Sequence, residues 1–455
     1  MSRLSRGCLL LCLGGLPLVV HAGGNLPAVR QSLQAGRPYV ANELLVQFRP
    51  EASASSQRLV LDRFGAAAVE RLQARGEGRG ELLHVRLGGT TPFSLRLLER
   101  LAADSSVEFA EPNWIYQHQA NPNDPYLGNL WGMQGAATAP ANGNGSGALA
   151  LWSAGLRCDS QVLVGIVDEG LMTSHPELQA NVWVNPGEYG KTPGVDDDGN
   201  GYVDDLNGWD FNGKDASVYD GSADDHGSHV AGTVAARIDN GQGVFGLCPT
   251  AKLISAKFLG PRGGTTANAV KAVQYLTDLK RRHGLRLVAS NNSWGGGGYS
   301  QALYDAIAAA GAADILFVAA AGNAGQNIDS TPSYPASYAL ANLLAVAAID
   351  KSGARASFSN WGANTVAIAA PGVDILSTVP TRKGAGYAAY SGTSMATPHV
   401  TGAAAFYASL NPCATAAQIR NALLTKATVD GKLASQVQNG RRLNVAGFSA
   451  ELACP

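Results

Sequence analysis

The chain carries little charge and lacks the features of a nucleic-acid-binding or membrane protein. Of its 455 residues 15% are charged, and the formal net charge is −1. Because this near-neutral balance comes without a basic stripe, it excludes nucleic acid as a partner. No apolar run beyond the N-terminus is long enough to span a bilayer, so we expect no membrane anchor. The 6 cysteines show no CxxC spacing, which argues against a zinc site.

The N-terminus has the pattern of a secretory signal. Arg3 and Arg6 supply positive charge, and an apolar stretch runs from Leu9 to Val20. Small residues around Ala22 then offer a cleavage position. A membrane anchor is the alternative, but the stretch is short and is interrupted by glycine and proline. We therefore assign residues 1–22 to a signal peptide and expect export to the extracellular space or the periplasm.

The cysteines fit export. Two of them lie in the predicted signal, and the remaining four permit three pairings. We favour Cys158–Cys248 and Cys413–Cys454, because each partner lies nearer its mate in sequence than the alternatives do. Free buried thiols are the other interpretation, which an oxidising compartment disfavours.

Residues 23–120 differ in composition from the rest of the chain. They hold 11 arginines, no lysine and 10 acidic residues. Their patterning predicts three strands and one helix, at Leu44–Phe48, Leu82–Leu87, Val107–Asn113 and Leu95–Leu101. A loop rich in asparagine and proline follows. The pattern indicates a small α+β domain at 23–120, followed by a large domain at 121–455.

Within residues 121–455, unbroken apolar runs alternate with helical patterns. Predicted strands lie at 162–167, 252–257, 315–320 and 343–349, and predicted helices at 266–280 and 304–312. This alternation predicts an α/β fold, a mainly parallel sheet with helices on both faces. Ligands of such sheets gather at the carboxyl ends of the strands. We find no internal repeat and expect a monomer.

A turn of small residues at 392–400 leads into an apolar helix. Gly392 allows a tight bend, and Ser394 lies in the first helical turn, where backbone N–H groups are free and the helix dipole is positive. A serine there can act as a nucleophile while its own N–H stabilises an oxyanion. An ordinary helix cap is the alternative.

A serine nucleophile requires a base, and the base requires an orienting carboxylate. Asp168 follows the apolar run 162–167, and His226 opens a run of small apolar residues that also contains His229. Taken singly, the aspartate could cap a turn and the histidines could bind a metal. No third soft ligand lies near the two histidines, which argues against the metal.

Together, three segments resemble the signature blocks of the subtilisin-like serine proteases. They read VGIVD ending at Asp168, HGSHVAGT beginning at His226 and GTSMATPH around Ser394, in that family's order Asp, His, Ser. The resemblance implies the subtilisin-like fold and a serine endopeptidase that acts on proteins or peptides. It makes Asp168 the orienting carboxylate, His226 the base and Ser394 the nucleophile, and it leaves His229 a structural role.

The resemblance extends to segments that would bind substrate. The block ending at Asn323 matches the one whose asparagine donates to the oxyanion, which implies that role for Asn323 beside the Ser394 N–H. The segment 292–296 resembles the strand that pairs with an extended peptide. The implied substrate-binding residues are Ser293, Trp294, Gly295, Ala320, Ala321 and Gly322.

The implied pocket for the P1 residue, the one before the cleaved bond, carries no carboxylate in 293–295 or 320–322. A basic P1 side chain would be buried unpaired, so we expect apolar or aromatic P1 residues and broad tolerance elsewhere. Glu169 departs from the family, which usually has a small hydroxyl residue there. It either raises the pKa of His226 or is only a surface charge.

Residues 196–207 have the spacing of an EF-hand calcium loop, although Asn207 replaces the final glutamate. We therefore expect a structural Ca²⁺ ion. The predicted ligands are Asp196, Asp198, Asn200, Asp204 and the carbonyl of Tyr202. A solvated acidic loop is the alternative.

The domain at 23–120 resembles the inhibitory propeptide of this family, most clearly at Val107–Tyr116. The resemblance implies that it assists folding, inhibits the enzyme and is cut near 117–121 by the enzyme itself. A permanent accessory domain is the alternative.

Rival functions fit less well. A proprotein processor requires an acidic P1 pocket, a Ser-Glu-Asp carboxyl peptidase lacks the His226 block, and a binding protein on a retired scaffold has usually lost a triad residue.

Overall fold

The computed structural model describes residues 26–34, 39–76, 78–88, 93–114 and 122–452. By its contacts the chain divides into two compact units, residues 1–116 and 117–455. The predicted signal peptide, the predicted cleavage region and Cys454 lie outside the described residues. The boundary at residue 120 stays a prediction.

The first unit contains a four-stranded antiparallel sheet in the order β2-β3-β1-β4. Its elements are α1 Leu26–Gln34, β1 Tyr39–Phe48, α2 Ala54–Arg63, β2 Ala66–Gln73, β3 Leu82–Leu87, α3 Leu95–Ala102 and β4 Val107–Trp114. Alternate residues of β1 (Leu44, Val46 and Phe48) are fully buried together with Leu98 of α3, as expected when a sheet covers its core with one face. The predicted strands and helix are confirmed.

The second unit is larger. Its first elements are α4 Ala148–Ser153, β5 Leu163–Asp168, β6 Gly208–Asp210, α5 Asp225–Ala235, β7 Lys252–Lys257, α6 Thr266–His283, β8 Leu287–Asn292 and α7 Gln301–Ala312. They are followed by β9 Leu316–Ala320, β10 Leu343–Ile349, β11 Ile368–Pro371, β12 Ile375–Thr381, β13 Gly384–Tyr390, α8 Thr393–Leu410, α9 Ala416–Thr425, β14 Thr428–Val429 and β15 Arg441–Arg442.

A nine-stranded sheet organises this unit, in the order β14-β15-β11-β10-β9-β8-β5-β7-β6. All its pairings are parallel except that of β14 with β15. The hairpin β12–β13 forms a separate two-stranded sheet. The predicted α/β fold with a mainly parallel sheet is therefore confirmed.

Helices cover this sheet in two pairs, α5 with α8 and α6 with α7, one pair on each face. Every residue of β5, β8, β9 and β10 is buried, which explains the unbroken apolar sequences of β9 and β10. Small residues also bring α5 and α8 together, since a Cβ on Gly402 would lie 3.4 Å from the carbonyl oxygen of Val234.

One disulfide joins Cys158 to Cys248, which confirms that predicted pair. Cys413 is also disulfide-bonded, and its predicted partner Cys454 lies outside the described residues. Within the described part of the chain, no helix combines the length and apolarity needed to cross a membrane.

Candidate active site

Asp168 is placed by the end of a buried strand. It is the last residue of β5 and is fully buried. Its Oδ1 accepts hydrogen bonds from His226 Nδ1 and from the backbone N–H of Glu169, both at 2.8 Å. Within the described residues its Oδ2 is buried without a partner. The carboxylate therefore holds one imidazole nitrogen in a fixed direction.

His226 is the second residue of α5, and close packing holds this helix terminus. A Cβ on Gly227 would lie 2.0 Å from the carbonyl oxygen of Gly170, so only glycine allows this approach. The backbone N–H of His226 donates to Glu169 Oε1 at 2.5 Å, an acidic cap at the positive end of the helix. With Nδ1 bound to Asp168, the other ring nitrogen of His226 is available to a substrate, and the side chain is 29% exposed.

His229 lies on the same helix in a different environment. It is buried, its Nε2 lies 2.8 Å from the carbonyl oxygen of Ile375, and its ring stacks on Tyr390. Burial lowers the pKa of His229 to about 4, despite the opposing carbonyl contacts. A neutral imidazole bound to backbone carbonyls contributes to packing between α5 and the β12–β13 hairpin.

Ser394 is the second residue of α8, which begins after Gly392. Its Oγ donates to the carbonyl oxygen of Ser293 at 3.1 Å. His226, Asn323 and Ser394 line one cavity of about 350 Å³. No hydrogen bond joins His226 to Ser394 in the described structure, so the serine hydroxyl must rotate before it can meet the imidazole.

Asn323 is oriented by the residue before Ser394. Its Oδ1 accepts from both the backbone N–H and the Oγ1 of Thr393, each at 2.9 Å. Its Nδ2 makes no hydrogen bond within the described residues, and a Cβ on Gly392 would lie 3.5 Å from this nitrogen. The amide therefore points a free donor toward the start of α8.

Two clefts flank this cavity. One, of about 430 Å³, is lined by Trp294, Gly295, Ala320, Gly322 and Ser394, and no Asp or Glu is among its lining residues. The other, of about 610 Å³, is lined by Glu169, His226, Ser293 and Trp294. Ala321 is fully buried, and its carbonyl accepts from Asn360 Nδ2 at 2.9 Å. Apart from Ala321, the predicted substrate-binding residues therefore line these clefts.

The charges around His226 favour its protonated form. Burial alone would lower its pKa, but the charge and hydrogen bond of Asp168, with smaller effects of Glu169 and Asp225, raise the pKa of His226 to about 9. Burial and the charge of Asp168 raise the pKa of Glu169 to about 7. Of the two interpretations of Glu169, the effect on the base is the one that this geometry favours.

The acidic loop forms a cluster with a residue that the sequence pattern did not include. Carboxylate oxygens of Glu188, Asp196 and Asp198 lie within 4.8 Å of one another. Glu188 is 7% exposed, and its Oε2 is buried without a partner among the described residues. Such an orphaned oxygen among carboxylates is what a cation would satisfy. Glu188 lies outside the 12-residue loop, so the spacing of the loop could not reveal it.

Of the other predicted ligands, Asn200 lies beside this cluster, since its backbone N–H donates to Asp196 Oδ1 and Asp198 Oδ1, whereas Tyr202 and Asp204 have other contacts. Asn200 accepts from the backbone N–H of Tyr202 at 2.7 Å through its Oδ1. Asp204 Oδ2 accepts from the backbone N–H of Gly194 at 2.7 Å. The Tyr202 ring packs with three aromatic residues, Trp209, Phe211 and Tyr275.

The chain matches the models of two known protein families. Residues 159–448 match the model of the subtilase family, and residues 25–113 match that of the fervidolysin N-terminal prodomain. The chain therefore belongs to the subtilase family and is a serine endopeptidase with an N-terminal prodomain, made as a zymogen. The resemblance inferred from the three blocks is confirmed.

Individual proteins that the chain resembles are also serine proteases. The chain is 32% identical to the thermophilic serine proteinase of Bacillus sp. strain AK1, over 82% of this chain and 79% of the relative. It is 38% identical to subtilisin DY of Bacillus licheniformis, over 59% of this chain and 84% of the relative. A solved structure of proteases from Pseudoalteromonas arctica is similar with a TM-score of 0.57 and 27% identity, covering 73% of this chain and 99% of that one.

Proposed function

We propose that this endopeptidase cleaves peptide bonds with a triad of Asp168, His226 and Ser394. The observation that carries the proposal is the 2.8 Å hydrogen bond from His226 Nδ1 to a fully buried Asp168, beside a cavity that His226 shares with Ser394 and Asn323. When Nδ1 of an imidazole is hydrogen-bonded to a carboxylate, Nε2 is the ring nitrogen that can accept and donate the proton during catalysis.

The steps follow from this geometry. His226 Nε2 removes the proton of Ser394 Oγ while that oxygen attacks the carbonyl carbon of the scissile bond. The carbonyl oxygen becomes an oxyanion, which Asn323 Nδ2 and the Ser394 backbone N–H stabilise. The imidazolium then gives its proton to the leaving amine and the C–N bond breaks. Water, deprotonated by His226, hydrolyses the acyl ester and restores Ser394.

We also propose the substrate preference. The cleft of Trp294, Gly295, Ala320 and Gly322 has no Asp or Glu among its lining residues, which supports apolar or aromatic P1 residues because a buried basic side chain would be unpaired. Gly295, Gly296 and Gly297 line both clefts, which supports pairing of this segment with an extended peptide. Profiling on a peptide library tests this preference, and dominant cleavage after Lys or Arg would contradict it.

Three further features belong to the proposal. The prodomain inhibits the enzyme until the enzyme cuts it near 117–121. The signal-like N-terminus and the Cys158–Cys248 disulfide support export to an oxidising compartment, where the enzyme works as a monomer. A structural Ca²⁺ ion would bind at Glu188, Asp196 and Asp198, with Asn200, the Tyr202 carbonyl and Asp204 as further proposed ligands, and would stabilise the loop by neutralising its carboxylates.

A serine-directed fluorophosphonate probe tests the assignment. The wild-type enzyme is expected to be labelled and the Ser394→Ala variant not. The same variant should accumulate with residues 23–120 still attached. Labelling that persists in Ser394→Ala would place the nucleophile elsewhere, whereas normal processing of that variant would indicate a different maturing protease.

A further inference from the structure

Lys257 is a buried cation beside the proposed base and its carboxylate. It is the last residue of β7 and is 1% exposed. In the sheet it is paired in register with Asp168 of β5 on one side and with Asp210 of β6 on the other. A buried ammonium group is costly unless it is paired and hydrogen-bonded. The groups that pair with the Lys257 ammonium therefore indicate the role of this residue.

The ammonium group joins two chain segments. Lys257 Nζ donates to the carbonyl oxygen of Glu169 and to Asp224 Oδ1 at 2.7 Å. Glu169 directly follows Asp168 in the chain. Asp224 is the N-cap residue of α5, the helix that carries His226. One cation thus ties the segment that carries the carboxylate to the segment that carries the imidazole.

The aliphatic stem of Lys257 is held as closely. Gly170 has φ of +104°, and a Cβ there would lie 2.9 Å from Lys257 Cδ and 2.4 Å from the carbonyl oxygen of Val218. The next backbone N–H, that of Phe258, donates to the carbonyl oxygen of Asp168 at 2.9 Å. The stem of Lys257 is therefore closely packed against the segment that follows β5.

The same cation offsets negative charge. Asp220 Oδ2 lies 3.3 Å from Lys257 Nζ. Burial lowers the pKa of Lys257, but the hydrogen bond and charge of Asp224 and the charges of Asp220 and Asp210 raise that pKa overall, so the group stays protonated. Among the described residues, the titratable groups that face His226 are Asp168 and Glu169 from the end of β5, Asp225 and His229 from its own helix, and Tyr390 of β13, which donates to Asp225.

We propose that Lys257 is a positioning residue of this protease, which fixes the end of β5 that carries Asp168 against the N-terminus of α5 that carries His226, and neutralises Asp224 at that terminus. It acts through Glu169 and Asp224, without touching the reacting atoms. The inference rests on the proposed triad. It adds a residue that no signature block contains and that lies 31 residues after the base in sequence.

Lys257→Gln tests the proposal, because glutamine keeps a hydrogen-bond donor and loses the charge. We expect kcat per probe-labelled site to fall about 10- to 100-fold with little change in KM, as for a small misplacement of catalytic groups. The acidic limb of the pH profile of kcat/KM should move to higher pH, since Asp224 and Asp220 lose their counter-charge next to the N-terminus of α5, which favours the imidazolium form of His226. Lys257→Arg should bring the limb back toward the wild-type pH.

Asp224→Asn provides the opposite perturbation. It removes an anion and leaves Lys257 charged, so the limb should move to lower pH. Lys252→Gln, at the other end of β7, is the matched control and should leave both kcat and the limb unchanged. An unmoved limb in Asp224→Asn, or in a folded Lys257→Gln, would overturn the proposal. If Lys257→Gln does not fold, the Asp224→Asn profile decides alone. Failure of the triad itself would show separately, as probe labelling of Ser394→Ala.

Discussion

Ser293 and Ser394 exchange two hydrogen bonds. Ser394 Oγ donates to the Ser293 carbonyl at 3.1 Å, and Ser293 Oγ donates to the Ser394 carbonyl at 2.8 Å. The second bond has a cause in the sequence. Pro398 lies within α8, four residues after Ser394, and lacks the N–H that would otherwise bond to that carbonyl. The proline thereby links the proposed nucleophile to the proposed substrate-binding segment.

Ser293→Ala should therefore destabilise the fold, because it leaves the Ser394 carbonyl without a donor. We expect a loss of about 1–3 kcal/mol in the free energy of unfolding, measured by chemical denaturation in a Ser394→Ala background that cannot digest itself. Pro398→Ala supplies an N–H to the same carbonyl, so Ser293→Ala should cost less in that background. An equal cost in both backgrounds would show that the serine acts elsewhere.

Asn323→Ala should reduce turnover. Its free Nδ2 is the side-chain donor proposed for the oxyanion, and loss of one such donor typically lowers kcat about 100- to 1,000-fold with a small effect on KM. Steady-state kinetics on a peptide ester or amide would measure this. Asn364→Ala, in an exposed loop, is the control and should retain wild-type kcat. A large rise in KM at constant kcat would instead assign Asn323 to substrate binding.

The enzyme should work best in alkaline solution. Because the base must be neutral and the pKa of His226 is raised to about 9, the acidic limb of kcat/KM should have its midpoint near pH 9. Glu169 contributes to this pKa as an anion, so Glu169→Gln should move the midpoint to lower pH. A midpoint that does not respond to Glu169→Gln would leave Glu169 only its hydrogen bond to the His226 backbone.

Stability should change with pH in the opposite direction. The pKa of His226 is about 9 in the folded chain, above the 6.5 of a free imidazole side chain. The protonated imidazole therefore contributes stability that is complete below pH 6.5 and is lost as the pH rises through 9. Denaturation of Ser394→Ala across this range should show the loss. Adding His226→Gln should flatten the dependence, and an unchanged slope would point to other groups.

Calcium should bind through Glu188. Glu188→Gln replaces a buried carboxylate, whose Oε2 lacks a partner in the described structure, by a neutral amide. The Ca²⁺ affinity measured by calorimetry and the gain in Tm on adding Ca²⁺ should therefore both fall. Asp197→Asn is the matched control, since Asp197 is exposed and, among the described residues, its Oδ2 accepts only from the Thr192 backbone N–H, at 2.9 Å. Calcium binding that survives Glu188→Gln but fails in Asp204→Asn would restore the ligand set read from the loop spacing alone.

The sequence predicts four buried strands of the large sheet, but not the equally buried β8 and β11. The predicted bounds of β7 and β10 agree with the structure, because strands buried on both faces leave unbroken apolar runs. β2 was not predicted, since none of its residues is buried and it therefore has no apolar alternation. The β12–β13 hairpin was also missed, as its second strand is rich in glycine, alanine and tyrosine without a clear period.

In the candidate site too, some residues could be predicted from the sequence and others could not. Asp168, His226 and Ser394 each lie within a contiguous block, so sequence order and spacing were enough to select them. Glu188 and Lys257 join their clusters only through tertiary contact, Lys257 by sheet register and Glu188 by the folding of the acidic loop. No local pattern marks either residue, and only the three-dimensional arrangement could find them.

The Cys158–Cys248 disulfide closes a segment of 90 residues that contains Asp168, His226 and the acidic cluster. An endopeptidase is exposed to attack by its own copies, and Tyr189 beside this cluster is 69% exposed. A single cut there would leave both pieces covalently joined, with β5 and β7 still paired. Such nicked molecules would migrate as one band in denaturing electrophoresis until the disulfide is reduced. Self-digestion at this loop therefore need not abolish activity.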